Sequence, residues 1–139
     1  MKKVIYFIIL IYVPKFCFAQ TFDTLTITQT IDSFIRVSNK WHEENKGEKS
    51  LLILKSAEKL CKKTFGLNSQ IYATICYEYG NHYEASGDFV TAEKWFKNAI
   101  EIQVRDNQSL DYAKTLNALA NIYADQGQIG QAETYYKIV

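Results

Sequence analysis

The sequence predicts an all-α fold, a solenoid of paired antiparallel helices, and three observations predict it. A 40-residue shift superimposes Tyr72-Ala73 on Tyr112-Ala113, Asn81 on Asn121, Tyr83 on Tyr123, Gly87 on Gly127, Ala92-Glu93 on Ala132-Glu133 and Lys97 on Lys137. Eight matches in one window exceed coincidence and mark an internal repeat. Within each copy the apolar residues recur at steps of three and four, which places them on one helix face. The only proline is Pro14, so long helices are unobstructed after it.

The first nineteen residues stand apart. Met1-Lys2-Lys3 is a basic start, Val4 to Val13 is a run of ten apolar residues, and Cys17-Phe18-Ala19 offers small residues where signal peptidase reads. This layout predicts a secretory signal peptide over 1–19, cut between Ala19 and Gln20, with an uncleaved N-terminal anchor as the alternative. A bilayer span needs about 20 apolar residues, so the run is too short for a permanent anchor. Pro14-Lys15-Phe16 before Cys17 lacks the small apolar residues of a lipoprotein signal. The expected destination is export, to the periplasm of a bacterium or beyond it. Residues 20–28 are expected to be a linker, and 29–139 the array, with units of about 31–68, 69–108 and 109–139.

The 139 residues carry sixteen Lys and Arg against fifteen Asp and Glu. Removing 1–19 leaves thirteen cations and fifteen anions, a net charge of −2. That balance argues against a nucleic-acid binder, which shows a basic excess on one face. Cys61 and Cys76 both fall on apolar helical stripes and are expected as buried thiols; a disulfide is the alternative in an oxidising compartment. Neither has a second cysteine at metal-ligand spacing.

The first unit is a degraded copy, aligned by a shift of 42: Phe34, Val37, Ser38 and Trp41 fall under Cys76, Tyr79, Gly80 and Tyr83. Ser50, Leu54 and Ala57 fall under Ala92, Phe96 and Ala99. In the second and third units Gly80 and Ala120 are small where two helices must approach. Gly87 and Gly127 end the first helix, a position that favours left-handed backbone. Asp88 is the natural N-cap of the next helix. Ala92 and Ala132 are small at the crossing, and Trp95, Phe96, Tyr135 and Tyr136 fill the space beyond. Helix breaks are expected near Asn45–Glu48, Phe65–Asn68, Gly87–Asp88, Asp106–Ser109 and Gly127–Gln128.

These residues carry a family resemblance. Cys76-x2-Tyr79-Gly80-x2-Tyr83 followed by Ala92-x3-Phe96 and Ala99 resembles a tetratricopeptide repeat. Leu116-x2-Leu119-Ala120-x2-Tyr123 followed by Ala132-x3-Tyr136 is a cleaner match. The period of 40 to 42 exceeds the usual 34 of that family, and the closing proline is absent. The longer period resembles the kinesin-light-chain-type subfamily. A signal peptide before long repeats resembles the front of bacterial CHAT-domain proteins, which implies a caspase-like domain further on. The third unit stops at Val139 inside its second helix, so the chain is expected to be the N-terminal part of a longer protein.

No catalytic or metal motif is present, and no cofactor is implied. His42-Glu43-Glu44 begins like a zincin helix but lacks the second histidine four residues on. His42 and His82 differ in register and are expected as separate surface or satisfied histidines. Lys55 to Lys63 is a solvated face. One constellation exceeds this background: Asn39, Asn81 and Asn121 occupy equivalent first-helix positions in all three units. The resemblance implies that first helices line a concave groove where asparagine grips an extended peptide. A carboxamide suits that task, offering a donor and an acceptor together. Tyr77, Lys114 and Asn117 are expected beside them, with Glu78, Glu84 and Asp125. The alternative is that the asparagines staple neighbouring helices. The expected function is a non-catalytic scaffold that binds a protein or extended peptide. The alternatives are the extracytoplasmic sensor region of a histidine kinase or transcriptional regulator, and a self-associating array.

Overall fold

The computed structural model describes the backbone from Lys2 to Val139 and the side chains from Asp23 onward. The described residues form six α-helices: α1 (Lys2–Glu43), α2 (Gly47–Thr64), α3 (Gln70–Ala85), α4 (Phe89–Gln103), α5 (Leu110–Asp125) and α6 (Ile129–Tyr136). A single 3₁₀ turn (Val104–Asp106) follows α4. Among the described residues there is no β-strand. The expected signal peptide and its cleavage point lie outside the residues whose side chains are described. Residues 20–28, expected as a linker, are helical and continuous with α1. Ile27 already packs on the core there, and no proline or glycine interrupts the backbone.

Each helix pairs with the next, and α1, α3 and α5 stand side by side as the first helices of successive pairs. The turns follow from local chemistry. Gly87 and Gly127 adopt φ of +80° and +74°, the left-handed conformation that ends α3 and α5. The Asp88 carboxylate accepts from the Thr91 amide at 3.1 Å and caps α4. Ser69 and Ser109, forty residues apart, cap α3 and α5 in the same way, accepting from Tyr72 and Tyr112 at 3.2 Å.

At the crossing within each pair the side chains are small because the partner helix fills the space against them. A Cβ on Gly80 would lie 2.4 Å from the ring of Phe96, which is fully buried. In the first pair the equivalent crossing holds two buried serines, with Ser38 Oγ 2.9 Å from Ser50 Oγ. Leu54 and Ala57 are buried completely, as are their counterparts Phe96 and Ala99. Val37 departs from the pattern: it is exposed, whereas its aligned partner Tyr79 is buried. Tyr136 also departs, lying 44% exposed rather than filling the core.

The core forms two apolar clusters. The first gathers Ile31, Ile35, Leu54, Ala57, Ile75, Tyr79 and Ala99 from α1 to α4. The second gathers Ala92, Phe96, Leu119, Ile122, Tyr123 and Ala132 from α4 to α6. Tyr77 and Tyr83 pack against both and join them. Cys61 and Cys76 are buried free thiols. Burial pushes both thiols up, Cys76 to about 12, so neither is a reactive thiolate. The lysines of 55–63 are exposed, with Lys62 paired to Glu58 at 2.6 Å.

Candidate functional site

The face built by α1, α3 and α5 collects the polar residues singled out in the sequence. Asn39 is exposed at the end of α1, Asn81 is half-buried on α3, and Asn121 is exposed on α5. The three do not stand as a free ladder. Asn81 Nδ2 donates to Glu78 Oε2 at 3.4 Å, and Asn39 hydrogen-bonds the same carboxyl from the neighbouring helix. Asn121 Oδ1 accepts from the Tyr136 hydroxyl on α6. Two asparagines therefore converge on one acid, and the third is engaged within its own helix pair.

Glu78 is the centre of this arrangement. Burial holds its carboxyl above the usual carboxylate range, opposed by the hydrogen bonds from Asn39 and Asn81 and by the nearby His42. Towards α5 the face continues with Tyr77 and Glu84. Burial pushes the Tyr77 hydroxyl up, while its hydrogen bond with Asn81 acts the other way. Burial also raises Glu84, and Asp125 on α5 adds to that rise by like-charge repulsion. Lys114 and Asn117 are exposed on α5. Lys114 sits 3.7 Å from Asp111, one turn before it.

The histidines depart from expectation. His42 and His82 were expected apart, but their ring centroids lie 5.1 Å from one another. The last turns of α1 and α3 converge there, which an offset in aligned register conceals. With Asn45, Gly47, Ala85 and Ser86 they line a small open cleft. Burial, then the neighbouring His42, holds His82 below the usual imidazole range, so it favours the neutral form. Among the described residues no three His, Cys, Asp or Glu side chains converge as a metal site. No helix among them is long and apolar enough to cross a membrane.

Sequence reasoning missed two further features, each joining a first helix to a second helix. Tyr79 Oη donates to Glu58 at 2.9 Å, and Tyr123 Oη donates to Glu93 at 2.8 Å. Each acid also holds the lysine four residues on, Lys62 or Lys97, at 2.6 Å. The Glu-to-Lys spacing was readable; the tyrosine that joins it comes from another helix and was not.

Residues 71–137 match the family described as tetratricopeptide repeat. No curated protein matches the sequence. Several solved structures share the fold. The nearly identical TPR-like repeats of a kinesin light chain candidate from Podosopora anserina superimpose with a TM-score of 0.70 at 15% identity, covering 80% of this chain and 54% of that one. BtubC (BKLC) from P. vanneervenii gives 0.70 at 18% identity, covering 78% and 43%. The TPR domain of Arabidopsis FLU gives 0.68 at 16% identity, covering 80% and 92%. The chain thus spans about half the length of the kinesin-light-chain-type structures it matches. Helix pairing, the small residues at each crossing and these superpositions together make the fold a solenoid of tetratricopeptide-type helix pairs, and residues 71–137 are the part similar to that family's repeat.

Proposed function

We propose that the chain is a non-catalytic scaffold that receives an extended peptide or protein segment along the α1–α3–α5 face. The observation that carries this reading is the row of part-exposed polar groups on successive first helices: Asn39, Glu78, Asn81, Glu84, Asn117 and Asp125. In solenoids of this kind that face is the concave one. Asn81 donates to Glu78 through its amide nitrogen and Asn39 meets the same carboxyl, so two carboxamides, each with a donor and an acceptor, stand where a ligand backbone would run. Tyr77 supplies an aromatic wall that is already fixed by both core clusters. The test is peptide-library selection on the full chain, followed by competition on Asn117→Arg and Asn121→Arg, which obstruct the face without entering the core. Binding that both variants leave intact would place the ligand elsewhere.

The same reading makes the protein exported, on the strength of Lys2-Lys3, the ten-residue apolar run and the Phe18-Ala19-Gln20 junction. In the fullest form it is the front of a CHAT-type protein of a bacterium. N-terminal sequencing of the chain expressed in a bacterial host should find Gln20 first in the extracytoplasmic fraction. Retention of Met1 in the cytosol would overturn the export reading and leave the scaffold reading untouched.

A further inference from the structure

The chain treats its part-buried carboxylates in two different ways. Glu58 and Glu93 each take a tyrosine hydroxyl from a neighbouring helix and a lysine from one turn on, so each charge is neutralised in place. Glu78 takes two carboxamides instead, from Asn39 and Asn81. The residue one turn on from Glu78 is His82, not lysine. Among the described residues no lysine or arginine lies within ion-pair distance of Glu78. A desolvated carboxylate held by two carboxamides, with the His42 imidazole as its nearby titratable base and no lysine or arginine beside it, is costly, and a cation brought beside it recovers that cost.

The surroundings point the same way. Glu84, Asp111 and Asp125 line the face towards α5, and its one lysine, Lys114, is engaged by Asp111. A ligand with acidic residues would meet like charge along the α3 and α5 part of this face. On the reading of this face as a docking groove, on which the inference rests, we propose that the segment it receives carries a lysine or arginine that docks on Glu78 between Asn39 and Asn81. The carboxylate reads the side-chain charge, and the two carboxamides flank it where the ligand backbone runs.

The experiment uses the full chain and a random peptide library, followed by synthetic peptides in which each selected lysine is replaced by norleucine. Enrichment of Lys or Arg at one position, with about tenfold or greater loss for the norleucine peptide, is the expected result. Glu78→Gln, which keeps the shape, should abolish that discrimination while retaining weaker binding of both peptides. Selected peptides of neutral or acidic composition, or equal affinity for the lysine and norleucine forms, would overturn the cationic ligand while leaving the groove reading in place. Selection of no peptide that Asn121→Arg displaces would overturn both. Should Glu78→Gln fail to fold, the lysine and norleucine peptides on the unaltered chain still decide.

Discussion

Glu78 and His82 lie one turn apart on α3, and burial moves them in opposite directions. The folded state binds the Glu78 proton more tightly than the unfolded state does. Stability from this group is therefore present at low pH and lost as pH rises past the ordinary carboxylate range to the raised value. For His82 the unfolded state takes the proton first, so stability falls as pH drops through about 6.5. Glu78→Gln removes only the first effect. The variant should melt a few degrees above the unaltered protein at pH 7.5, and the gap should shrink towards pH 5; a gap independent of pH would mean that Glu78 is well solvated. The asparagines separate at the same scale. Asn81→Ala takes a donor from a part-buried acid and should cost about 1–3 kcal/mol in a thermal or urea melt. Asn121→Ala exposes nothing new and should stay within about 0.5 kcal/mol. Equal effects would return the three asparagines to one role.

At the scale of the helix pair, the crossing sets the tolerance for side chains. A Cβ at Gly80 meets three ring carbons of Phe96 at 2.4 to 2.7 Å, and Phe96 is enclosed on all sides. Gly80→Ala should therefore cost about 1–3 kcal/mol by overpacking, read as a lowered midpoint in denaturant. Phe96→Leu in the same chain should recover part of that loss, and strict additivity of the two changes would refute the contact. This close approach was legible in the sequence because Gly80 and Ala120 recur forty residues apart, as do the turn glycines Gly87 and Gly127. Local chemistry that repeats can be read from one chain. The Ser38–Ser50 pair was half legible: alignment placed both at a crossing, but not their hydrogen bond. The meeting of His42 with His82, and of Asn39 with Asn81 on Glu78, was not legible. Those contacts join different units, and their geometry depends on how one pair stacks on the next. Nor was the helical state of residues 20–28, which match no part of the repeat and whose Ile27 packs on the core.

For the whole molecule the question is whether the pairs stand alone or support one another. Two apolar clusters meet at α4: Ala99 and Ile102 face the first, and Ala92 and Phe96 face the second. Tyr77 and Tyr83 on α3 touch both, so the units share side chains instead of abutting across a gap. In such an array stability is the sum of what each unit supplies and what each interface adds. Ending the chain after residue 108 would remove α5 and α6. It would leave the first cluster intact but uncover Phe96, which is 0% exposed in the full chain. Exposing a buried aromatic and its neighbours forfeits about 1.5–3 kcal/mol for that side chain alone. The shortened protein should keep its helical circular dichroism and melt several degrees lower, while the full chain melts in one transition. An unchanged midpoint, or two transitions in the full chain, would show that the second cluster folds independently. In that case Tyr77 could not hold the α3 and α5 parts of the binding face in fixed relation.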